Sequence, residues 1–562
     1  MRKLADFSHR SLVLILLGIG FAFLMTGNGL LNLTDPDEVF YTQTAQEMLS
    51  HHSWLTPYLF DQPQFEKPVF FYWLLMISLK LFGSAPFVIR FWPALFGMLS
   101  AVGVYGVSWL LFHSKRLSFL AGLVLCTSFI HFGMSKAVLT DMVFAFWITA
   151  AMGCFYWGYT SARYKNWGIV LFFACGAFAV LTKGLLGICL PLMGVHLYLR
   201  VKQDLAFFNC RAALLGIVIF LGIAGPWHVL MYQWYGKPFI DEYWYNAHIR
   251  RIFEAEHKSA NTWYFYPAVL MGGMMPWTFF LLPSLFSFGK AVVEPLAKIR
   301  NQSFFLFAWL LGTLIVPQIA KSKLASYILP AFPPLVIMVA YYFNDLFEKK
   351  EQSSFWRSLW IGARALAAVI VVGAIALTVF AKRQTQFVTP QDMNHFYLFA
   401  VLLVLCATTV FISTIQKNLK GVLTGVVGIL VAIMVTISLI YRSAEPWVSC
   451  KEISDVLQKS SPSNSLVFSN KLWARGIRFY TQRPVAVIHP GAKEFFSPHP
   501  IPFLNDFPST LKFLEHQSVI YGVVGKGTLR DFESMLNPQD YQMATLTHIG
   551  DKYLVRIERR AQ

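Results

Sequence analysis

Three carboxylates stand within four residues in "LTDPDEVFYTQTAQEML", residues 33 to 49: Asp35, Asp37 and Glu38. The stretch follows directly on a long apolar run, so the acids mark the edge of a membrane. Part of the set has a structural explanation. "DPDE" reads as a helix start, with Asp35 as N-cap, Pro36 at the first helical position and Glu38 completing a capping box. Nothing in that pattern requires Asp37. Asp141 in "KAVLTDM" is a second isolated acid, at the start of another apolar run, where a helix N-terminus also welcomes a negative charge.

Cations gather in the same class of segment. Lys67 lies in "FEKPVF", Arg250, Arg251 and Lys258 in "YNAHIRRIFEAEHKSANTWYFYP", and Lys321, Lys323 and Tyr327 in "IAKSKLASY". Arg offers a fork of donors and Lys a point charge, the two usual means of holding phosphate. Acids and phosphate-binding cations at one membrane surface point to group transfer from a lipid phosphate. Glu66, His248 and His257 have side chains that suit Zn²⁺, although no tight ligand spacing joins them. Lys183 in "LTKG" reads as an ordinary interfacial charge. No phosphate loop, dinucleotide fingerprint or HExxH motif is present, so no nucleotide or redox cofactor is implied.

The elements that carry these residues follow from composition. The chain has 562 residues, of which 56% are hydrophobic and only 14% charged, against about 25% charged in soluble domains. Thirteen apolar runs can span a membrane, near 11–32, 86–112, 117–133, 138–160, 165–182, 184–200, 209–231, 264–286, 303–320, 324–346, 358–381, 395–415 and 419–441. The first reads as an uncleaved helix. The run 69–82 is shorter and reads as an interfacial helix, as does the helix after Asp37, with Phe40, Tyr41, Thr44, Ala45, Met48 and Leu49 on its membrane face.

Basic segments alternate along the chain, which places the N-terminus in the cytoplasm and the acids and cations outside, in outer loops 33–85 and 232–263 among others. The net charge of +18 therefore serves orientation rather than nucleic acid. Residues 1–441 form the membrane domain. Residues 442–562 read as an outer α/β domain of alternating helices and strands. The cysteines fall mostly in spans, so no disulfide framework is expected.

The segments "DPDEVFYTQTAQEML", "FEKPVFFYWL", "VIRFWPALFG", "KAVLTDMVFAFW", "LTKGLLG", "HIRRIF", "EHKSANTWYFYP", "MMPW" and "KSKLASYILPAFPPL" occur in the order seen in bacterial lipid A aminoarabinose transferases. The chain resembles that family of membrane glycosyltransferases, which has the C-type fold and is related to the protein O-mannosyltransferases. The resemblance implies about thirteen spans, a periplasmic C-terminal α/β domain and a monomer in the bacterial inner membrane. It also implies transfer of 4-amino-4-deoxy-L-arabinose from undecaprenyl phosphate to a lipid A phosphate, masking that charge against polymyxin.

Carried over by position, the catalytic acids fall on Asp37, with Glu38 beside it, and Asp141. The donor-phosphate group falls on Lys67, Arg251 and Tyr327, with Lys323 in the same loop. No cofactor is required for the chemistry, and Zn²⁺ has at most a structural place. Two departures stand out: "DEVFY" where the family follows "DE" with Arg and Tyr, and "KSKLASY" where it tends to "KGKLPTY". They leave open another sugar, such as galactosamine or mannose, passed to lipid A or to a protein. A transporter or flippase fits less well, because midspan charges are nearly absent.

Overall fold

The computed structural model describes residues 6–256, 260–348, 354–384, 389–492 and 501–560. Among these residues nine helices are long and apolar enough to cross a membrane, from Phe91–Phe112 to Leu419–Val448, and two bent helix pairs bring the total to eleven. The protein is a multi-pass membrane protein. The remaining two expected spans are short. His9–Met25 and Leu186–Lys202 have 17 residues each, which at 1.5 Å per residue cover only about 25 Å of a hydrocarbon core about 30 Å thick.

The bent pairs are the runs expected as straight spans at 117–133 and 264–286. Lys115–Cys126 meets Phe129–Ser135 at 63°, and Phe265–Gly273 meets Thr278–Val293 at 111°. Backbone groups freed inside a membrane need partners within the protein, and the two breaks supply them to each other. The Phe129 amide donates to the Met275 carbonyl at 2.9 Å, and Trp277 Nε1 donates to Thr127 Oγ1 at 3.0 Å.

Two helices of the segment between the first two apolar runs do not span. Phe70–Phe82 is the short apolar helix expected there. Asp37–Ser50 was expected to lie open on the membrane, but residues 38–45 are all buried. The reason is a second cover. Tyr41 packs on Phe71 and Tyr72 of the Phe70–Phe82 helix, with ring centroids 5.5 and 6.1 Å apart. Its neighbour Phe40 faces the helix Ala474–Thr481 of the C-terminal domain. A two-residue hairpin of β1 (Tyr58–Leu59) and β2 (Gln62–Pro63) joins the two loop helices.

The last membrane helix runs past residue 441 to Val448 and leads directly into the C-terminal domain. Its sheet contains β3 (Val467–Ser469), β4 (Val485–Ile488), β5 (Phe503–Leu504), β6 (Val519–Gly525), β7 (Tyr541–Ile549) and β8 (Lys552–Arg559), in the order β5-β4-β3-β6-β8-β7. The first four strands of that order are parallel, and β8 is antiparallel to β6 and β7. Alternation of side chains along a strand feeds two cores. Val467, Val485 and Val487 pack with Ile453, Leu457 and Ile477 on one face, while Phe468, Ala486 and Ile488 pack with Leu514 and Phe532 on the other.

Candidate active site

Glu38 organises the ends of the elements that carry the acids. Its carboxylate pairs with Arg90, accepts from the Thr34 amide and hydroxyl at 2.9 Å each, and accepts from the Val138 amide at 3.0 Å. Arg90 spends its other donors on the carbonyls of Asn28, Leu31 and Asn32. The network joins the end of the first apolar run, the start of Asp37–Ser50 and the start of Thr140–Thr160. Glu38, expected beside Asp37 in the chemistry, is thus a buried structural anchor with both carboxylate oxygens held by internal partners. The capping box is absent too: the Asp37–Ser50 helix begins at Asp37 with no side-chain cap. Asp35 turns away and accepts the Cys450 amide at 2.9 Å.

Lys67, Arg251 and Tyr327 meet around Glu66. Arg251 Nη2 donates to Glu66 Oε1 at 3.1 Å, its Nη1 donates to the Tyr327 hydroxyl at 2.8 Å, and Lys67 Nζ lies 3.6 Å from Glu66 Oε1. Glu256 adds a second carboxylate 3.4 Å from Arg251 Nη2. Two backbone bonds fix this meeting of distant loops: Ser322 and Lys321 donate their amides to the carbonyls of Arg251 and Ile252 at 3.0 and 3.1 Å. Burial pulls Lys67 down to about 8, reinforced by the Arg251 and Lys183 charges and opposed by Glu66 and Asp141. Burial also works against the Arg251 charge, but Tyr327, Glu66 and Glu256 together raise it above its ordinary value.

Asp141, in the first turn of Thr140–Thr160, pairs with Lys183 at the end of Lys165–Lys183. Lys183 Nζ also sits 4.6 Å from the centre of the Tyr327 ring, a cation–π contact that ties the pair to the Arg251 group. Lys183 is therefore part of the site rather than a simple interfacial charge. The sequence signal was the match at "LTKG", outweighed by how common a lone lysine is at a span end.

Asp37 has accessible surface, yet the surrounding protein still pushes its carboxyl above the usual range. Arg475 opposes that shift, while Glu66, Asp141 and Glu256 add to it. The expected residues Asp37, Asp141, Lys67, Arg251 and Tyr327 therefore share one electrostatic neighbourhood. Arg475, from the C-terminal domain, belongs to it as well, and the sequence of that domain carried no motif to reveal it.

Lys323 is placed otherwise. Its Nζ donates to the Thr262 carbonyl at 2.8 Å and lies 5.9 Å from the centre of the Tyr266 ring. It pins the earlier segment at Thr262 instead of joining the Arg251 group. Of the expected Zn²⁺ ligands, Glu66 and His248 each have other partners, and no group of three metal-binding side chains occurs among the described residues. Glu66 is engaged by Arg251 and Lys67. His248 accepts the Leu185 amide on Nε2 at 3.3 Å, which leaves its Nδ1 to donate to the Tyr243 carbonyl at 2.6 Å. Burial lowers His248 to about 4, in keeping with that neutral ring. His257 lies outside the described residues.

Gly184 makes the His248 approach possible. Its φ of +104° turns the chain out of the Lys165–Lys183 helix, and a Cβ there would overlap His248 Nε2.

Comparisons with known proteins place the chain among relatives. The chain is 29% identical over 361 residues to "Undecaprenyl phosphate-alpha-4-amino-4-deoxy-L-arabinose arabinosyl transferase 2" of Proteus mirabilis strain HI4320, covering 61% of this chain and 62% of that protein. It is 33% identical over 355 residues to a similarly named transferase of Yersinia enterocolitica, covering 61% of each. The matched stretch thus spans about three fifths of these relatives' own lengths.

The crystal structure of ArnT from Cupriavidus metallidurans bound to undecaprenyl phosphate superposes with a TM-score of 0.78 over 98% of both chains at 19% identity. That likeness establishes a shared fold, C-terminal domain included. The archaeal oligosaccharyltransferase AglB from Archaeoglobus fulgidus is a more distant neighbour, with a TM-score of 0.52 and 13% identity over 92% of this chain and 69% of that one. The model of the dolichyl-phosphate-mannose-protein mannosyltransferase family matches residues 11–292, half of the chain and the half that supplies Asp37, Lys67, Asp141, Lys183 and Arg251. The chain belongs to that family.

Proposed function

We propose that this chain transfers 4-amino-4-deoxy-L-arabinose from undecaprenyl phosphate to a phosphate of lipid A, at the periplasmic face of the bacterial inner membrane. In this reading the N-terminus is cytoplasmic, the C-terminal domain is periplasmic and the chain acts as a monomer. The convergence of Lys67, Arg251 and Tyr327 beside Asp37 and Asp141 carries the proposal, supported by the names of the relatives and by the lipid phosphate held in the structural neighbour.

An oxygen of the lipid A phosphate forms a bond to the anomeric carbon as the bond from that carbon to the undecaprenyl phosphate oxygen breaks, its electron pair leaving on the phosphate. A phosphate monoester has its second pKa near 6, so the acceptor is already anionic and needs little help from a base. Asp37 then orients the sugar and steadies positive charge developing at its ring. Lys67, Arg251 and the Tyr327 hydroxyl stabilise charge on the departing phosphate. No step calls for a metal or other cofactor.

The test is the mass of lipid A from a strain lacking its own transferase and supplied with this chain. A gain of one aminopentose per modified phosphate is expected. A gain of a hexosamine identifies a different sugar, and unmodified lipid A alongside glycosylated periplasmic protein transfers the reading to a protein acceptor.

A further inference from the structure

The proposed reaction brings together two phosphates, one leaving the anomeric carbon and one attacking it. Each approaches through a different oxygen, and an in-line displacement puts them on opposite sides of that carbon, so one cluster of cations cannot hold both. The Lys67 group accounts for one phosphate. The structure offers a second source of positive charge from another part of the chain.

Lys471 lies just before and Arg475 in the first turn of Ala474–Thr481, the helix of the C-terminal domain that packs on Asp37–Ser50. The Arg475 guanidinium carbon sits 4.7 Å from the centre of the Phe40 ring, and Phe40 is one helical turn beyond Asp37. A turn further along, Arg478 Nε is 3.5 Å from Glu47, and its Nη2 also pairs with Asp61, which holds this helix rigidly on the outer loop. Asp37 acts electrostatically on Arg475, and Lys471, whose Nζ lies 6.0 Å from the centre of the Phe503 ring, feels first the Arg475 charge and then that of Glu256. An anionic acceptor reaching Asp37 would be repelled by both acids unless these cations offset them. Leu472, between the two, is 49% exposed, an apolar neighbour suited to a lipid.

We infer that Lys471 and Arg475 bind the acceptor phosphate, as a subsite separate from the Lys67, Arg251 and Tyr327 that take the donor phosphate. The C-terminal domain on this account completes the active site instead of merely covering it. The inference rests on the function proposed above and specifies the acceptor side of it.

The test uses the full chain in phosphatidylcholine nanodiscs. Binding of lipid A is titrated in the absence of donor, binding of undecaprenyl phosphate separately, and sugar transfer to lipid A is measured in parallel. Losing charge-assisted contacts to phosphate weakens binding by roughly tenfold to hundredfold. Lys471→Gln with Arg475→Gln is expected to weaken lipid A binding by that factor and leave undecaprenyl phosphate binding unchanged, with Arg475→Lys restoring part of the loss.

Lys471→Gln alone, at a loop position, keeps the test valid if the Arg475 variants misfold, and should weaken lipid A binding several-fold. Wild-type lipid A binding in folded variants overturns the inference while leaving the transferase reading intact. So does an equal loss of binding to nanodiscs containing phosphatidylglycerol, which signals a general lipid contact. A wild-type chain that transfers sugar only to another acceptor overturns the reading itself, and the inference with it.

Discussion

Arg90 closes a two-pronged ion pair on Glu38, with Nε 2.8 Å from Oε1 and Nη2 2.5 Å from Oε2, and both side chains are 5% exposed. Removing one member of such a pair leaves the other charge buried without compensation, at a cost of roughly 3–5 kcal/mol. Glu38→Ala is therefore expected to lower the stability of the detergent-solubilised protein by that order. Asp37→Asn, one residue earlier, should leave unfolding unchanged and cut sugar transfer by about a hundredfold or more. Thermal unfolding and turnover measured on both variants separate the two carboxylates.

Lys67→Ala and Arg251→Gln should each slow transfer by about 10²–10³-fold, the scale for losing one preorganised donor to developing charge. Tyr327→Phe removes a neutral donor and is expected to cost less than either. Steady-state rates with a fixed lipid A concentration give the ranking. A Tyr327→Phe defect larger than that of Lys67→Ala would contradict the assignment of charge.

Lys67 sits near 8 instead of its ordinary 10.5 because burial disfavours its cation. The ammonium is present below that pH and lost above it, so kcat/KM for the donor should fall as pH rises through about 8. A bound phosphate stabilises the cation, which makes kcat less sensitive than kcat/KM over the same range. Lys67→Arg is expected to move the decline to higher pH, provided it retains turnover.

Asp35 is raised from 3.8 to about 7 by burial, against hydrogen bonding from Cys450 and the Lys552 charge. Its docked state favours the neutral acid. The contribution to docking of the C-terminal domain is therefore complete below about 3.8 and lost as pH rises through about 7. Hydrogen exchange of the Ala474–Thr481 amides should be slower at pH 5 than at pH 8 after correction for intrinsic rates, and Asp35→Asn should flatten that difference. Gly476→Ala should loosen docking at every pH, because a Cβ at 476 would overlap the Asp35 carboxylate.

The sequence showed what depends on residue type and periodicity. Apolar runs gave the membrane class, and Asp37, Asp141, Lys67, Arg251 and Tyr327 come together in the fold. Partner choice was less visible. Glu38 and Lys323 have residue types suited to the chemistry, but whether a side chain faces a substrate or an internal partner depends on contacts such as Arg90 with Glu38, 52 residues apart. The helix breaks near Ser128 and Pro276 were hidden because an apolar run has the same composition straight or bent. Arg475 was unreadable for a related reason: its place beside Phe40 is set by packing across more than 400 residues of chain.

The helix Leu419–Val448 enters the C-terminal domain without an intervening linker, and the Asp35 amide donates to the Val448 carbonyl at 3.0 Å just where it ends. Glu445, within its last turn, is gripped by Asn32. A roof welded to its supporting pillar cannot swing upward without pulling that pillar out of the bilayer. On the proposed function, the lipid substrates reach the site from the membrane side and not through a roof that lifts.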